Sequence, residues 1–497
     1  MILWHLSLLH SENKSCILCL AAGLLLVFTG GCTVGPKFTS PPANLPAQFL
    51  GSEETGESNT KKETTGKPEA LHENLEAWWL LYNDPLLTVL IENAFAHNLD
   101  LESAIMRVTQ SRALVSASKS ELYPSANATG GLTRSQRSDE VTGAQQSGGQ
   151  PGSENPSNLY EAGLNASWEI DLFGGRRRAV EAAVAELKAA EADVFVSRLL
   201  VASELADAYF AWLGAQERLR VTQSTVESYK GTLAITNARF VAGIESQFDE
   251  LRAQAELDSS LALAPPLQEE LFLQRNRLAV LLGTTPGQLP QLAANAPINT
   301  RAVPTIPAGS LSPELLRRRP DVISAELAVV AANARIGEAI AEYYPKFTLN
   351  GTLGVASTDS ENLLQSRAGT WSLGPAFQWR LLDFGRVDAE IKRSKASEQL
   401  ALIAYKQTII NSVREAEDSL AKLQQRTAEH QQLQRALQSQ ELALQIAQAR
   451  YQSGLEEFLS VLDAQRALNN VQGNLALAKQ RQLQASSGLY KALGGGY

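Results

Sequence analysis

Apolar and polar residues alternate strictly along short segments of the chain. In residues 159–172, LYEAGLNASWEIDL, apolar side chains hold every second position from the tyrosine onwards, with polar residues or glycine between them. Residues 371–382 and 346–356 show the same pattern, and residues 125–133 show a weaker form of it. A period of two residues is typical of a β-strand with one apolar face. The sequence therefore predicts four strands.

Each predicted strand has about the length that a tilted strand needs to cross a lipid bilayer. Apolar-out, polar-in alternation is also typical of a transmembrane β-barrel. An antiparallel sheet with one buried face in a soluble protein alternates in the same way. Alternation therefore leaves both possibilities open, a membrane barrel and an ordinary half-buried sheet.

Long stretches without proline predict helices of unusual length. No proline interrupts residues 175–242 or their counterparts 386–452, which are rich in Ala, Glu, Leu, Arg and Gln. At 1.5 Å per residue, each stretch would form a helix of about 100 Å. Apolar residues from Ile409 to Leu423 are spaced four and three apart, which indicates coiled-coil packing against other helices.

The chain contains an internal duplication. Residues 239–257, RFVAGIESQFDELRAQAEL, match residues 450–468, RYQSGLEEFLSVLDAQRAL, at an offset of 211. Further upstream the offset is 221, as in the Tyr-Pro pairs that begin at Tyr123 and Tyr344. The first copy must therefore carry ten extra residues, in the polar loop between its two strands, where insertions are tolerated best. The period is too long for a solenoid repeat, so we interpret it as duplication of a half-molecule.

Each copy contains one sharp turn between helices. Gly243 and Gly454 stand at equivalent positions after the two long helices, and glycine readily adopts the positive φ that ends a helix. We therefore expect helical hairpins with tips at these glycines. Pro265 and Pro266 are expected to bend or break the returning helix of the first copy. The matching positions of the second copy hold no proline.

The N-terminus resembles that of an exported lipoprotein. The apolar run CILCLAAGLLLVF, residues 16–28, has the length of a signal-peptide core. The following TGGC resembles a lipobox in which Cys32 receives a lipid such as palmitate and becomes the mature N-terminus, although Thr29 replaces the usual leucine. An ordinary secretory signal is the alternative. The residue after the cysteine is Thr33, whereas an aspartate at that position is typical of lipoproteins retained in the inner membrane. The sequence is therefore compatible with delivery to the outer membrane.

Together these patterns predict the organisation of the chain. Residues 1–31 are a signal peptide, 32–70 a lipid-anchored tether, 71–283 the first repeat, 284–310 a connection, 311–494 the second repeat and 495–497 a short tail.

Composition excludes several functions. A formal net charge of -9 argues against nucleic-acid binding, which needs a basic surface. The three cysteines, Cys16, Cys19 and Cys32, all lie near the N-terminus, so the rest of the chain can form no disulfide or thiolate metal site. No nucleophile elbow, phosphate loop or metal cluster is present in the sequence. We therefore expect no enzyme activity, no metal and no cofactor other than the lipid on Cys32.

A membrane sheet of four strands requires further copies of the chain. Lipid cannot satisfy the backbone N–H and C=O groups of an open sheet edge, and four strands cannot close on themselves. Two copies would supply eight strands and three copies twelve. The sequence pattern does not choose between these numbers.

Several longer motifs carry a specific resemblance. The chain resembles TolC-like outer-membrane efflux factors, in the lipoprotein (NodT/OprM-like) branch that serves inner-membrane RND drug pumps. Besides the two tip segments quoted above, the motifs are CTVGPKF (32–38), WWLLYNDPLLTVLIENAFAHNLDLESAIMRV (78–108), SWEIDLFGGRR (167–177), LAVLLGTTP (278–286) and LLRRRPDVISAELAVVAANARIGEAIAEYYPKFTLNGTLG (315–354).

The resemblance implies a membrane α+β fold and a homotrimer. Three protomers would build a twelve-stranded transmembrane barrel and a long helical tunnel through the periplasm, lipid-anchored in the outer membrane. The tunnel would passively conduct small molecules such as drugs, received through a periplasmic membrane-fusion adaptor from an inner-membrane RND-type transporter. Two alternatives remain: a channel for type I protein secretion, and a lipid-anchored coiled-coil stalk or adhesin with a soluble β-head.

The resemblance also implies two sets of functional residues. The channel gate would comprise Leu459 at an apolar constriction, Asp463 in a ring of carboxylates and Arg466 as its partner. The adaptor would dock at the hairpin tips, at Arg239, Gly243, Arg450 and Gly454. The simpler interpretations are a surface ion pair for Asp463 and Arg466 and helix capping for the arginines and glycines of the tips.

Overall fold

The computed structural model describes residues 33–42, 45–46, 48–49, 76–136, 156–244, 246–289, 298–304 and 313–496. The predicted signal peptide, Cys32 and most of the tether lie outside the described residues, as do residues 137–155 of the first strand loop and much of the inter-repeat connection.

The helices and strands follow one another in the order that the repeat predicts. The first repeat contains α1 Pro85–His97, α2 Leu99–Ser120, β1 Ser125–Ser135, β2 Ser157–Ile170, α3 Gly175–Val241, α4 Gln247–Leu261 and α5 Ala264–Leu281. The second contains α6 Pro320–Ala341, β3 Lys346–Ser357, β4 Gly369–Gln378, α7 Arg386–Gln452 and α8 Phe458–Ala492. Short 3-10 helices lie at Trp78–Tyr82, Pro286–Gln288, Ile298–Thr300, Pro313–Arg318, Ser360–Asn362 and Ser366–Ala368.

The chain divides into two compact units. The strand unit comprises Thr109–Lys188, Glu326–Ile403 and the described residues before position 42; the helical unit comprises the described residues of Pro42–Val108, Ala189–Ala325 and Ala404–Tyr497. The helices α3 and α7 contribute residues to both units. Within the described part of the chain, none of the helices has both the length and the apolarity needed to cross a lipid bilayer.

One antiparallel sheet of four strands, in the order β1-β2-β3-β4, forms the centre of the strand unit. The register keeps apolar residues opposite one another, for example Leu132 opposite Tyr160 and Leu353 opposite both Leu164 and Trp371. This register places the apolar side chains of all four strands on one side of the sheet. A shift of one residue in any strand would move its apolar side chains to the other side.

The strand ends differ from those expected from the alternating pattern. β2 ends at Ile170 and β4 at Gln378, although alternation continues to residues 172 and 382. After each strand an aspartate instead starts the following helix. Asp171 accepts a hydrogen bond from the Arg177 amide at 2.9 Å, and Asp383 accepts one from the Val387 amide at 3.0 Å. A carboxylate that accepts from the first helical N–H groups is a helix cap, so capping overrides the two-residue period.

The segment after Cys32 lies against the start of α3. The Val34 amide donates to the Phe173 carbonyl at 3.1 Å, and the Arg178 guanidinium donates to the Val34 carbonyl at 3.1 Å. The approach requires glycine, since a Cβ on Gly35 would lie 2.5 Å from the Gly337 Cα. The motifs CTVGPKF and DLFGGRR therefore belong to one contact in the strand unit.

The helical unit buries a charged group at its centre. Asp84 caps α1 by accepting from the Leu86 amide at 3.1 Å, and its other carboxylate oxygen lies 2.5 Å from Arg301 and accepts from the Tyr209 hydroxyl at 2.8 Å. The Asp84 side chain is 1% exposed and that of Arg301 is 10% exposed. Burial raises the pKa of Tyr209, which therefore remains a hydrogen-bond donor.

The two repeats close their helices in the same way with different side chains. Asn98, just before α2, donates to the Leu281 carbonyl at the end of α5 at 2.9 Å. At the equivalent position before α6, Arg319 donates to the Ala492 carbonyl at the end of α8 at 2.7 Å. Arg319 also contacts Asp321 and Glu415, at 2.7 Å and 2.9 Å. The motif RRRPDV therefore lies at the start of α6 and also caps the C-terminal end of α8 with a buried arginine.

Replacement of Asp84 by alanine should strongly destabilise the helical unit. The change leaves the Arg301 guanidinium buried without its carboxylate, a loss that typically costs about 3–5 kcal/mol. The matched control is Glu227→Ala, which removes the partner of Lys230 in an exposed pair and should change stability by less than about 1 kcal/mol. Thermal unfolding of the purified protein, followed by circular dichroism, measures both. Equal melting temperatures for the two variants would contradict the prediction.

Candidate functional site

The helical hairpins turn through matching hydrogen-bonded motifs. At the first tip, the amides of Gly243 and Ile244 donate to the carbonyls of Phe240 and Arg239, at 2.8 Å and 2.9 Å. Gly243 has a φ of 71°. This pair of bonds around a left-handed residue is the Schellman motif that ends many helices. A side chain at position 243 would be strained by the backbone conformation, although no atom lies within 4 Å of its Cβ position.

The second tip repeats the motif. The amides of Gly454 and Leu455 donate to the carbonyls of Tyr451 and Arg450, at 3.0 Å and 2.9 Å, and Gly454 has a φ of 72°. The helices α3 and α7 thus end in the same geometry, and α4 and α8 return from it. Among the four residues predicted for docking, the two glycines have a structural role that the backbone conformation explains.

Each tip also carries an exposed apolar residue that was not predicted from the sequence. Ile244 and Leu455 directly follow the two glycines and are 64% and 71% exposed. An apolar residue at this position of a Schellman motif usually packs against the last turn of its helix, but here that turn presents an arginine. The signal was available in the sequence, because both residues are apolar and lie 211 positions apart.

The two tip arginines make different contacts. The Arg239 guanidinium lies 5.0 Å from the ring centroid of Tyr451, in the other hairpin, which is cation–π geometry. Arg450 instead pairs with Glu456 of its own turn at 3.3 Å. Arg239 therefore connects the two hairpins, whereas Arg450 stabilises one turn.

Below the tips, an apolar cluster packs the two hairpins together. Its buried members are Val226, Tyr229, Ala253, Leu257, Phe458 and Leu462. The buried amide of Gln465 adds polar contacts, since it donates to the Ser228 hydroxyl at 2.5 Å and accepts from the Thr232 hydroxyl at 3.3 Å. The residues predicted for the gate lie on the same helix as this glutamine.

The structure brings Asp463 and Arg466 together within one protomer. Their side chains are 3.3 Å apart, and Arg466 also forms a short ion pair with Glu256 on α4. The hydrogen bond to Glu256 raises the pKa of Arg466, so the guanidinium remains charged. Leu459, one turn before Asp463, is half-buried.

Glu256 pairs with a residue predicted for the gate and was not itself predicted from the sequence. It lies 210 positions before Arg466, and the position equivalent to it in the second repeat holds Ala467. The sequence could have indicated this residue, because the first repeat has a carboxylate where the second has alanine. The pair Arg466–Glu256 connects the return helices of the two hairpins.

Among the described residues, no group of three or more His, Cys, Asp or Glu side chains is arranged to hold a metal ion. The apolar face of the sheet is open in the protomer, and its large side chains are more than half exposed: Leu132, Leu164, Leu353, Trp371, Leu373 and Phe377.

Comparison with known proteins identifies the family. The model of the family described as outer membrane efflux protein matches residues 90–284 and 311–495. The chain belongs to this family. The two matched segments correspond to the two copies of the internal repeat.

Individual relatives extend over almost the whole chain. The probable efflux pump outer membrane protein TtgC of Pseudomonas putida is 30% identical over 471 residues, 94% of this chain and 93% of that protein. Nodulation protein T of Rhizobium leguminosarum bv. trifolii is 28% identical over 467 residues, 94% of this chain and 95% of that protein. The solved structure of the outer-membrane channel OprN is 31% identical with a TM-score of 0.81, and the match covers 94% of this chain and 99% of that chain.

These relationships confirm the main predictions from the sequence. The protein has the fold of TolC-like outer-membrane channels, is located in the outer membrane and acts as the channel of an efflux pump. The assignment of individual residues to the gate and to docking stays a prediction.

The double variant Asp463→Ala with Arg466→Ala should raise single-channel conductance. It removes the ion pair of Arg466 with Glu256, which joins α8 to α4, and the pair within α8, so the periplasmic end should open more readily. The same double replacement at Glu227 and Lys230, an exposed pair of the same spacing on α3, is the matched control. Conductance in planar bilayers measures both, and an unchanged value for the Asp463 and Arg466 variant would contradict the gate assignment.

Proposed function

We propose that three copies of the chain form the exit duct of a tripartite efflux pump. The duct passively conducts small molecules such as drugs, which an inner-membrane RND-type transporter and a periplasmic adaptor deliver to it. The observation that carries this proposal is the sheet, which among the described residues has two open edges and an uncovered apolar face. No catalytic step is part of the proposed function.

The two faces of the sheet fit lipid on one side and water on the other. The apolar face exposes large side chains such as Leu353 and Trp371, which are favourable in contact with lipid. On the other face, polar residues bond across the strands, as Ser167 does to Asn350 at 2.9 Å and Thr352 to Ser372 at 2.7 Å. A polar lining of this kind suits a water-filled passage.

The open edges support assembly from several copies. β1 and β4 each have one neighbour in the sheet, and an unpaired edge is not stable in lipid. Closure therefore needs strands from other copies of the chain. Three copies supply twelve strands, the number that the family resemblance implies.

We propose that the lipid is attached to Cys32, the only modification or cofactor that the proposal requires. The contact of Val34 and Gly35 with the start of α3 supports it, because this contact fixes the position of the chain just after the cysteine. The preceding residues 1–31 are then the signal peptide and residues 32–70 the anchored tether, followed by the repeats 71–283 and 311–494.

The variant Cys32→Ser should lose the lipid. Cells grown with labelled palmitate should incorporate the label into the unchanged protein and not into the variant, since serine cannot form the thioether of a lipoprotein. Cys19→Ser, a cysteine within the apolar run, is the control and should keep the label. A labelled Cys32→Ser protein would refute the assignment.

We propose that the adaptor docks on the two hairpin tips. The arginines Arg239 and Arg450 and the turns at Gly243 and Gly454 present Ile244 and Leu455 to the periplasm. An exposed apolar side chain gains free energy when a partner protein covers it and removes it from water. The tips of one protomer therefore offer two related docking positions.

The variant Leu455→Glu should weaken adaptor binding because a charge replaces the apolar contact. The control is Gln452→Glu, which adds the same charge at a polar, exposed position of the same tip. Binding is measured by co-purification of the adaptor and transporter with each variant. A strain that lacks the gene for this protein is first tested for the drugs, dyes or secreted proteins that it retains. Retention of secreted proteins alone would favour type I secretion, and equal binding by the two variants would contradict the docking role of Leu455.

A further inference from the structure

A cavity of about 530 Å³ lies between α6 and α7 in the strand unit. Four arginines and three glutamates line it together with small residues. The arginines are Arg335 on α6, Arg380 after β4, and Arg386 and Arg393 on α7. The whole chain has a net charge of -9, so an excess of positive charge at one cavity calls for an explanation.

The cavity exists because small side chains meet where α6 and α7 approach each other. Ala332, Ala339 and Ser394 line it and are buried. The Asn333 amide joins the two helices by donating to the Glu398 carboxylate at 2.7 Å. The walls are therefore held by helix packing and by this hydrogen bond, in which the arginines of the cavity take no part.

The cavity lies at the end of the polar face of the sheet. Lys346, the first residue of β3, lies on the same face as Thr352. Glu342, which lines the cavity, forms an ion pair with Lys346, and Arg380 lies 3.4 Å from the same carboxylate. A molecule that moves along the polar face therefore passes these charged groups.

One arginine of the cavity is available for a ligand. Arg335 pairs with Glu186 on α3, and Arg393 donates to Glu390 at 3.0 Å. In the described part of the chain, Arg386 has no carboxylate within ion-pair distance. Its charge still acts across the cavity wall, because the hydrogen bond from Arg393 and then the charge of Arg386 lower the pKa of Glu390.

The first repeat shows that the fold does not need these charges. The helices α2 and α3 are the equivalents of α6 and α7 and have the same lengths. Five of the seven charged positions hold an apolar residue or glycine there, namely Leu114, Ala117, Gly175, Ala179 and Ala182. The charges are thus an addition of the second repeat that helix packing alone does not explain.

We propose that this cavity binds small organic anions, such as carboxylates, as they pass through the channel. The inference rests on the proposed function, in which the polar side of the sheet lines the passage. A guanidinium group can donate two parallel hydrogen bonds to one carboxylate, and Arg386 and Arg380 supply two such groups. The volume of about 530 Å³ is in the range of small-molecule sites.

The glutamates of the cavity wall limit how tightly an anion is held. Glu338, Glu342 and Glu390 line the same cavity and repel a bound carboxylate. Conduction requires binding that is favourable enough for entry and weak enough for release. The mixed lining therefore suits a site that a molecule occupies briefly during passage.

Block of channel currents by citrate tests the site. The purified full-length protein is inserted into planar bilayers, and citrate is added at constant ionic strength. The current should fall to a saturating level, and Arg386→Gln should raise the half-blocking concentration at least about fivefold, because a hydrogen bond between charged groups is lost. The matched control Lys395→Gln removes a cation from an exposed position of α7 outside the cavity and should not change the half-blocking concentration.

A second variant should act in the opposite direction. Glu338→Gln removes a negative charge from the cavity wall and should lower the half-blocking concentration of citrate. General damage to the fold would shift both variants in the same direction, and circular dichroism checks that each variant is folded. Equal or parallel shifts for Arg386→Gln and Glu338→Gln would overturn the anion site.

Spermidine, an organic cation, tests the sign of the preferred charge. It should block less than citrate at the same concentration. Stronger block by spermidine would overturn the preference for anions. Citrate block that is unchanged by Arg386→Gln, in a protein that still supports drug export in cells, would overturn the site without contradicting the proposed function, whereas normal export by cells that lack the protein would contradict the function itself.

Discussion

Backbone polar groups must find partners wherever lipid replaces water, and this constraint governs the whole molecule. Each unsatisfied N–H or C=O in the hydrocarbon costs several kcal/mol, more than any single side-chain contact of the sheet can return. Hydrogen bonds between the four strands satisfy the backbone groups inside the sheet. The outward-facing backbone groups of β1 and β4, the two edge strands, receive no hydrogen bond from the sheet. The chain therefore acquires its membrane-stable form through other copies of itself.

The internal duplication repeats the same contacts in both halves of the chain. Equivalent positions keep the same contacts even where the residue changes: Asn98 and Arg319 each donate to the carbonyl at the end of a returning helix. The Trp168 indole N–H donates to the Leu122 carbonyl, just before β1, at 2.9 Å. The equivalent Trp379 donates to the Tyr343 carbonyl, just before β3, at 3.0 Å. The two copies therefore keep the same geometry with different side chains.

The two hairpin tips share the same turn but differ in the side chains that follow it. Leu459 of the second repeat corresponds to Phe248 of the first, and the Arg466–Glu256 pair has no equivalent with the repeats exchanged. The Arg466 side chain is 42% exposed, and partly exposed ion pairs contribute only about 0.2–1 kcal/mol. Contacts of that strength can hold two hairpins together and still break when a partner protein binds. The apolar cluster below this pair packs the two hairpins together.

Local rules account for what the sequence determined by itself. Two-residue periodicity predicted the strands, and the need for positive φ after a helix located the tips at Gly243 and Gly454. The family followed from motifs spread along the whole chain. The tertiary structure decided the partners of charged residues, because Glu256 and Arg466 lie 210 positions apart and no local pattern relates them. It also decided where the strands end, since helix caps at Asp171 and Asp383 compete with alternation that continues past them. The strand register was likewise a tertiary result, because it depends on which residues of separate strands face each other.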